Sequence, residues 1–207
     1  MKLNGKVEIV GANVVLIPYM RHHVEKYHQW MSSAELQQLT ASDSLSLEEE
    51  YDMQQTWRQD DDKCTFIVLD KQLRRQHESD IKSTRESDVM SMIGDTNIFL
   101  NDPQNLTNGE IEIMIAEPSS RGCGRGKEAT LLMLRYGVEQ LNIKSYQAKI
   151  GYTNQPSVNM FKKFGFTESS RSEVFREITL SVCVTDEWLR WLNDNTSFTI
   201  VEYNASS

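Results

Sequence analysis

The stretch Arg121-Gly122-Cys123-Gly124-Arg125-Gly126-Lys127 spaces its glycines and cations in a way that suits anion binding. The alternating run Glu110-Ile111-Glu112-Ile113-Met114-Ile115 before it predicts a strand. The run Lys127-Glu128-Ala129-Thr130-Leu131-Leu132-Met133-Leu134 after it predicts a helix. Glycines at such a junction accept positive φ and let a ligand approach the backbone. The free N–H groups of the first helical turn then face that ligand, with the helix dipole behind them. Arg121, Arg125 and Lys127 add local positive charge, so the expected guest is a phosphate or pyrophosphate. The strand itself carries Glu110 and Glu112. Alternation puts both on one face, and Ile111, Ile113 and Ile115 on the other. In a helix-covered sheet, burial and mutual repulsion would raise a carboxylate pKa toward general-base duty. A solvated strand face is the alternative.

Two common phosphate loops do not fit. A nucleotide P-loop needs Ser or Thr after its lysine, and Lys127 is followed by Glu128. The dinucleotide fingerprint needs Gly-x-Gly-x-x-Gly, and the spacing of Gly122, Gly124 and Gly126 differs. The pattern that fits is Arg/Gln-x-x-Gly-x-Gly/Ala, carried by Arg121, Gly124 and Gly126. A second segment follows, Asn154-Gln155-Pro156-Ser157-Val158-Asn159-Met160-Phe161-Lys162-Lys163-Phe164-Gly165-Phe166. Pro156 suits a first helical turn, Ser157 can serve its free donors, and Gly165 suits a left-handed cap.

In this order, the two segments resemble those of the GCN5-related N-acetyltransferase superfamily, and the resemblance runs from about Asn13 to about Val184. It implies a single-domain α/β fold with a mixed, mostly antiparallel sheet, helices on both faces and a splayed central strand pair. It implies acetyl-CoA as cosubstrate, no metal, and direct acetyl transfer to an amine. By the same resemblance, Arg121, Gly122, Cys123, Gly124, Arg125, Gly126 and Lys127 hold the pyrophosphate. A backbone N–H near Met114 or Ile115 meets the thioester carbonyl. Asn154, Ser157, Phe161 and Lys163 flank the pantetheine arm. Glu110 falls where histone-acetylating relatives keep a catalytic glutamate, so Glu110 and Glu112 are the candidate bases. The chain departs from the family at Phe161, where a tyrosine usually serves the departing thiolate. Tyr152 is the nearest tyrosine in sequence.

The 207 residues suffice for one domain with a real core. A net charge of -8 argues against a nucleic-acid surface and favours a substrate that brings positive charge. No apolar run has the length of a bilayer span, and the first residues lack the apolar core of a signal peptide, so a cytoplasmic protein without membrane contact is expected. Cys64, Cys123 and Cys183 are scattered and form no zinc pattern. Cys123 lies in the phosphate loop, where a bulky thiol reagent should block the ligand.

Along the chain, Asn13–Tyr19 predicts a strand and Arg21–Ser32 a helix. Ser46-Leu47-Glu48-Glu49 is a capping box opening a helix over Leu47–Asp60. Lys63–Asp70 is a buried strand. Lys71–Asp88 is charged and poor in apolar residues, so a mobile loop is expected there. Strands are expected over Val89–Leu100, with Gly94 at a bulge or close approach, over Ser145–Ile150, and over Val174–Val184. Trp188, Leu189 and Trp191 suggest a terminal helix. The core should span 13–184, with no structure assigned to 197–207.

Four further stretches resemble a eukaryotic subfamily, the α/β-tubulin N-acetyltransferases. They are Leu39–Ser42, Leu47–Tyr51, Asp62–Asp70 and Glu112–Ser119. That resemblance implies acetylation of the N-terminal α-amines of α- and β-tubulin. The expected partner is a protein with a free N-terminus, and the expected state is a monomer. The alternative is a microtubule-associated binding protein that keeps the acetyl-CoA fold with little or no turnover. Phe161 in place of tyrosine is the feature that supports it.

Overall fold

Alternating and continuous apolar segments become nine strands in the computed structural model, which describes residues 4–80 and 83–204. These are β1 (Val7–Val10), β2 (Val14–Pro18), β3 (Lys63–Asp70), β4 (Met92–Phe99), β5 (Asn108–Ile115), β6 (Ser145–Gly151), β7 (Thr167–Ser172), β8 (Glu177–Cys183) and β9 (Thr199–Glu202). They form one sheet in the order β7-β8-β6-β5-β4-β3-β2-β1-β9. Only β5 and β6 pair in parallel; the other neighbours are antiparallel. The helices are α1 (Val24–Met31, after a 3-10 turn), α2 (Ala34–Thr40), α3 (Leu47–Gln59), α4 (Lys71–Asp80), α5 (Thr84–Ser91), α6 (Arg125–Leu141), α7 (Gln155–Lys163) and α8 (Asp186–Asp194). None is long and apolar enough to cross a membrane.

The period of two along the strands feeds two cores. On one face, Leu16, Phe66, Val68, Ile98, Ile111, Tyr146 and Leu180 join Leu132 and Leu134 of α6, Val158 and Phe161 of α7, and Trp188 of α8. On the other, Val15, Ile17, Ile67, Leu69, Met92 and Met114 join Val24, Tyr27 and Trp30 of α1 and Leu36 of α2. Helices therefore cover both faces of the sheet. The capping box at α3 forms as expected: Ser46 Oγ accepts from the Glu49 N–H (3.3 Å), and the Ser46 N–H donates to Glu49 Oε2 (2.8 Å).

The expected loop over Lys71–Asp88 is corrected by the structure. Helices α4 and α5 occupy Lys71–Asp80 and Thr84–Ser91, and residues 81 and 82 lie outside the described residues. The apolar stripe that announces most helices is absent because the buried side of this hairpin is polar. Ser87, Asp88 and Ser91 are buried. Arg74 bridges Glu8 of β1 (2.7 Å) and Asp88 (3.0 Å), while the Tyr203 hydroxyl donates to Asp88 (2.9 Å). The strand expected over Val89–Leu100 accordingly begins only at Met92. The strand expected over Val174–Val184 begins at Glu177, because Val174 and Phe175 sit exposed in the turn from the all-polar β7. β1, α2 and β9 had no sequence expectation, and β9 adds to the sheet through Val7–Val10. The readings made on Met1–Leu3 and on 205–207 fall outside the described residues.

Gly94 has both features expected of it. The β3–β4 register passes from Val68↔Gly94 to Leu69↔Met92, which leaves Ile93 as the extra residue of a bulge. A Cβ on Gly94 would fall inside the Met114 carbonyl group, so only glycine lets β4 and β5 approach there.

Candidate active site

The parallel pair β5–β6 is short. Its register runs from Asn108↔Ser145 to Glu110↔Gln147 and stops. Beyond Glu110 the two strands part, while β5 stays paired to β4 up to Ile115 and β6 to β8 up to Gly151. A cleft of about 510 Å³ occupies the gap. Glu112, Met114, Lys149, Asn154 and Phe161 line it, with Asp95 and Asn97 of β4 and Tyr27 of α1.

The cleft face of the sheet is acidic. Directly paired residues share a face, and the register is Asp95↔Met114, Asn97↔Glu112 and Phe99↔Glu110. Glu110 and Glu112, both candidate bases from the sequence with Glu110 at the position the resemblance favours, have different surroundings. Glu110 is buried, and its Oε2 accepts from Lys149 Nζ (2.8 Å), Asn101 Nδ2 (3.1 Å) and Gln147 Nε2 (3.1 Å). Glu112 has no such partners. Confinement among protein atoms, then the charges of Asp95 and Glu110, push it up to about 7 against the opposing Lys149. Its carboxylate meets water through the cleft mouth, yet protein surrounds it on the other sides, and that confinement governs its ionisation.

Asp95 was not anticipated. It is 2% exposed, burial pushes it up to about 7, and Asn97 Nδ2 donates to its Oδ2 (2.8 Å). The polar run Asp95-Thr96-Asn97 inside a strand with apolar ends was the available signal: two of its side chains share the face that carries Glu110 and Glu112.

The glycine loop starts just beyond the strand that walls the cleft. Gly122 (φ 72°) and Gly124 (φ 86°) are left-handed, and Gly124 is the N-cap of α6. Among the described residues, no acceptor takes up the N–H groups of Gly122, Cys123, Gly124, Arg125, Gly126 or Lys127. Six consecutive free donors at a helix start form an anion nest. The arginine side chains do less than expected. Arg121 Nε donates to the Ile115 carbonyl (2.8 Å), Nη2 donates to that of Ala116 (3.2 Å), and Nη1 pairs with Glu35 (2.8 Å), so this guanidinium ties the loop to the end of β5. Arg125 pairs with Asp70 (2.8 Å). Lys127 is exposed and lines a second hollow with Gly124 and 193–197. Cys123 is exposed, and its Sγ donates to the Ser120 carbonyl (3.0 Å).

Asn154, not Ser157, caps α7: its Oδ1 accepts from the Ser157 N–H (3.3 Å). Both residues line the cleft. Phe161 reaches the cleft wall but is 2% exposed, packed against Phe164 and Phe166. Tyr152 also lines the cleft, but its hydroxyl donates to the Ser172 carbonyl (3.1 Å). Lys163 lies elsewhere, on a groove with Trp188 and Cys183. Away from the cleft, His22, His23 and Asp88 bring ligand-type atoms within 4.8 Å. His23 Nδ1 accepts the Met20 N–H (3.0 Å), so its Nε2 carries the proton and offers no lone pair to a metal.

A sheet parted beside a run of free N–H groups, with carboxylates on the cleft floor, has the donors to suit an anion and the groups to accept a proton. The profile of the Acetyltransferase (GNAT) domain matches residues 13–167, and the chain belongs to this family of acetyltransferases. The chain is 52% identical to the N-acetyltransferase 9-like protein of Nematostella vectensis over 87% of each chain. It is 50% identical to the alpha/beta-tubulin-N-acetyltransferase 9 of Homo sapiens over 95% of this chain and 93% of that one. Among solved structures, the spermidine N-acetyltransferase of Vibrio cholerae in complex with CoA and spermine superposes with a TM-score of 0.67 at 15% identity, covering 83% of this chain and 95% of that one. A ribosomal L7/L12 alpha-N-protein acetyltransferase also gives 0.67, at 17% identity over 86% and 95%. These two likenesses concern the fold.

Proposed function

We propose that this acetyltransferase uses acetyl-CoA to acetylate N-terminal α-amines of proteins, with α- and β-tubulin as substrates. The observation that carries the reading is Glu112, a carboxylate near pKa 7 on the floor of a cleft whose wall leads into six free N–H groups. Acetyl-CoA supplies an acyl group activated as a thioester, and its diphosphate matches the nest formed by Gly122 to Lys127. Met114 lines the cleft at the strand edge that meets the acyl carbonyl; Ile115, the last residue of that strand, lies outside the lining. Asn154 spends Oδ1 on its helix cap, which leaves Nδ2 to donate to a ligand in the cleft.

Glu112 accepts the proton that the incoming amine must lose. A base near 7 matches an α-ammonium, whose pKa is about 7.7–8.0, and is mismatched to a lysine ammonium at about 10.4. Glu110, engaged by Lys149, Asn101 and Gln147, shapes the floor and raises Glu112 by its charge. The relatives named for tubulin support the substrate.

One observation favours a second reading, a tubulin-binding protein with little turnover. Phe161 offers no proton at the family's acid position, and the Tyr152 hydroxyl is committed to β7. Mass spectrometry of purified tubulin and of peptide libraries after incubation with acetyl-CoA separates the two. Acetylated α-amines are expected. Tubulin co-sedimentation with no acetyl transfer would establish the second reading, and acetylation confined to lysine side chains would refute the first.

A further inference from the structure

Asp95 and Asn97 are nine-tenths or more buried and line the cleft, and each ends in an oxygen with nothing to accept from. Asp95 Oδ1 and Asn97 Oδ1 are buried acceptors without a hydrogen-bond partner. The one contact between the two residues uses Asn97 Nδ2 and Asp95 Oδ2, which turns both remaining oxygens into surplus acceptors. The unpartnered carboxylate of Glu112 lies across the ladder from Asn97. Leaving buried acceptors unmade is costly, so native proteins rarely keep two such oxygens as those of Asp95 and Asn97 without a donor to fill them; Glu112 is open to solvent and adds its charge at the rim. Lys149, which also lines the cleft, is committed to Glu110.

The missing partner must therefore bring several N–H donors and a positive charge. A primary ammonium has three donors and no acceptor. A divalent metal would want six or more oxygens, and three side chains supply few of them. We infer that Asp95 Oδ1, Asn97 Oδ1 and Glu112 form a receptor that binds the substrate amine in its protonated form before the proton is removed. Asp95 and Asn97 hold the ammonium, and Glu112 then takes one proton, giving a neutral amine and a carboxylic acid with no change in total charge. This deepens the reading of Glu112 as base, and its test reads binding without turnover, so either can fail alone.

The probe is butylammonium, titrated into the full chain while the Asn97 side-chain amide is followed by ¹⁵N NMR, with butan-1-ol as the uncharged control. Saturable shifts are expected with butylammonium and not with butanol. The isosteric Asp95→Asn should weaken butylammonium about tenfold or more, the usual worth of a charge-assisted hydrogen bond. If Asp95→Asn does not fold, Asn97→Ala removes one acceptor and keeps the carboxylate, and a weakening of several-fold is expected. Equal shifts from butanol would overturn the inference. So would shifts from Mg²⁺ or Ca²⁺ in place of butylammonium, or undiminished affinity in the variant that folds.

Discussion

Replacing Glu112 by glutamine tests the base directly, through the pH dependence of turnover. With a pKa of about 7, Glu112 is about one-tenth ionised at pH 6, one-half at pH 7 and nine-tenths at pH 8. Only the ionised form accepts a proton, so kcat/KM, which reports the groups of the free enzyme, should rise about tenfold from pH 6 to pH 8 once the peptide's own ionisation is divided out. A glutamate of ordinary pKa, about 4.3, would give a flat profile over that range. Glu112→Gln should lower kcat/KM by about 10²–10⁴-fold, the usual contribution of general-base catalysis, and abolish the ramp. The surroundings set the sign of two further shifts. Asp95 raises the Glu112 pKa, so Asp95→Asn should move the ramp to lower pH. Lys149 lowers it, so Lys149→Met should move the ramp to higher pH. The assay is release of free thiol from acetyl-CoA over a range of subsaturating peptide concentrations, in constant-ionic-strength buffers. If Glu112→Gln keeps both the rate and the ramp, the base lies elsewhere and the assignment of Glu112 is wrong.

Gly124→Glu should abolish acetyl-CoA binding by calorimetry, since its carboxylate enters the free N–H nest. The fold should survive, because a Cβ there meets nothing within 4 Å and the left-handed φ costs only about 1–2 kcal/mol. Phe161→Tyr should raise turnover with little change in cofactor affinity, as the ring reaches the cleft wall; a fall in both turnover and melting temperature would show that the hydroxyl points into the Phe164–Phe166 cluster instead. Arg74→Met should destabilise the chain by about 3–5 kcal/mol in urea denaturation, because Glu8 and Asp88 lose a cation inside the protein.

Elements whose signals are local were legible in the sequence. Ser46 and Glu49 announced α3, the continuous apolar run of β3 fixed its ends, and the spacing of Arg121, Gly124 and Gly126 pointed to the loop whose N–H groups are free of acceptors. What depended on distant partners was hidden. The difference between Glu110 and Glu112 rests on Lys149 and Gln147, which arrive from another strand across the parallel pair. Helices α4 and α5 bury serine and aspartate against Arg74 and Tyr203, so no apolar periodicity revealed them, although Ser83 and Glu86 are spaced like a capping box and Ser83 does cap α5. Strand β7 is polar throughout because it is a solvated sheet edge, where alternation is not required. Asp95 and Asn97 stood in the polar run Asp95-Thr96-Asn97, but only the register against β5 shows that their face is the cleft.

The parting of β5 from β6 also has a mechanical side. Among the described residues, three residue pairs form the only stretch of ladder between the leaf β1–β5 with β9 and the leaf β6–β8. Side chains add further ties: Lys149 and Gln147 reach Glu110 across the seam, and the buried Tyr146 hydroxyl donates to the Leu134 carbonyl of α6 (2.6 Å) and so fastens the smaller leaf to a helix packed on the larger one. A ligand lying along the gap touches both leaves and works as a splint. Ligand at 100 times its dissociation constant would add about 2.7 kcal/mol to global stability. Amide hydrogen exchange should slow most in Ala148–Gly151 and Ile111–Ile115, the two free lips of the seam.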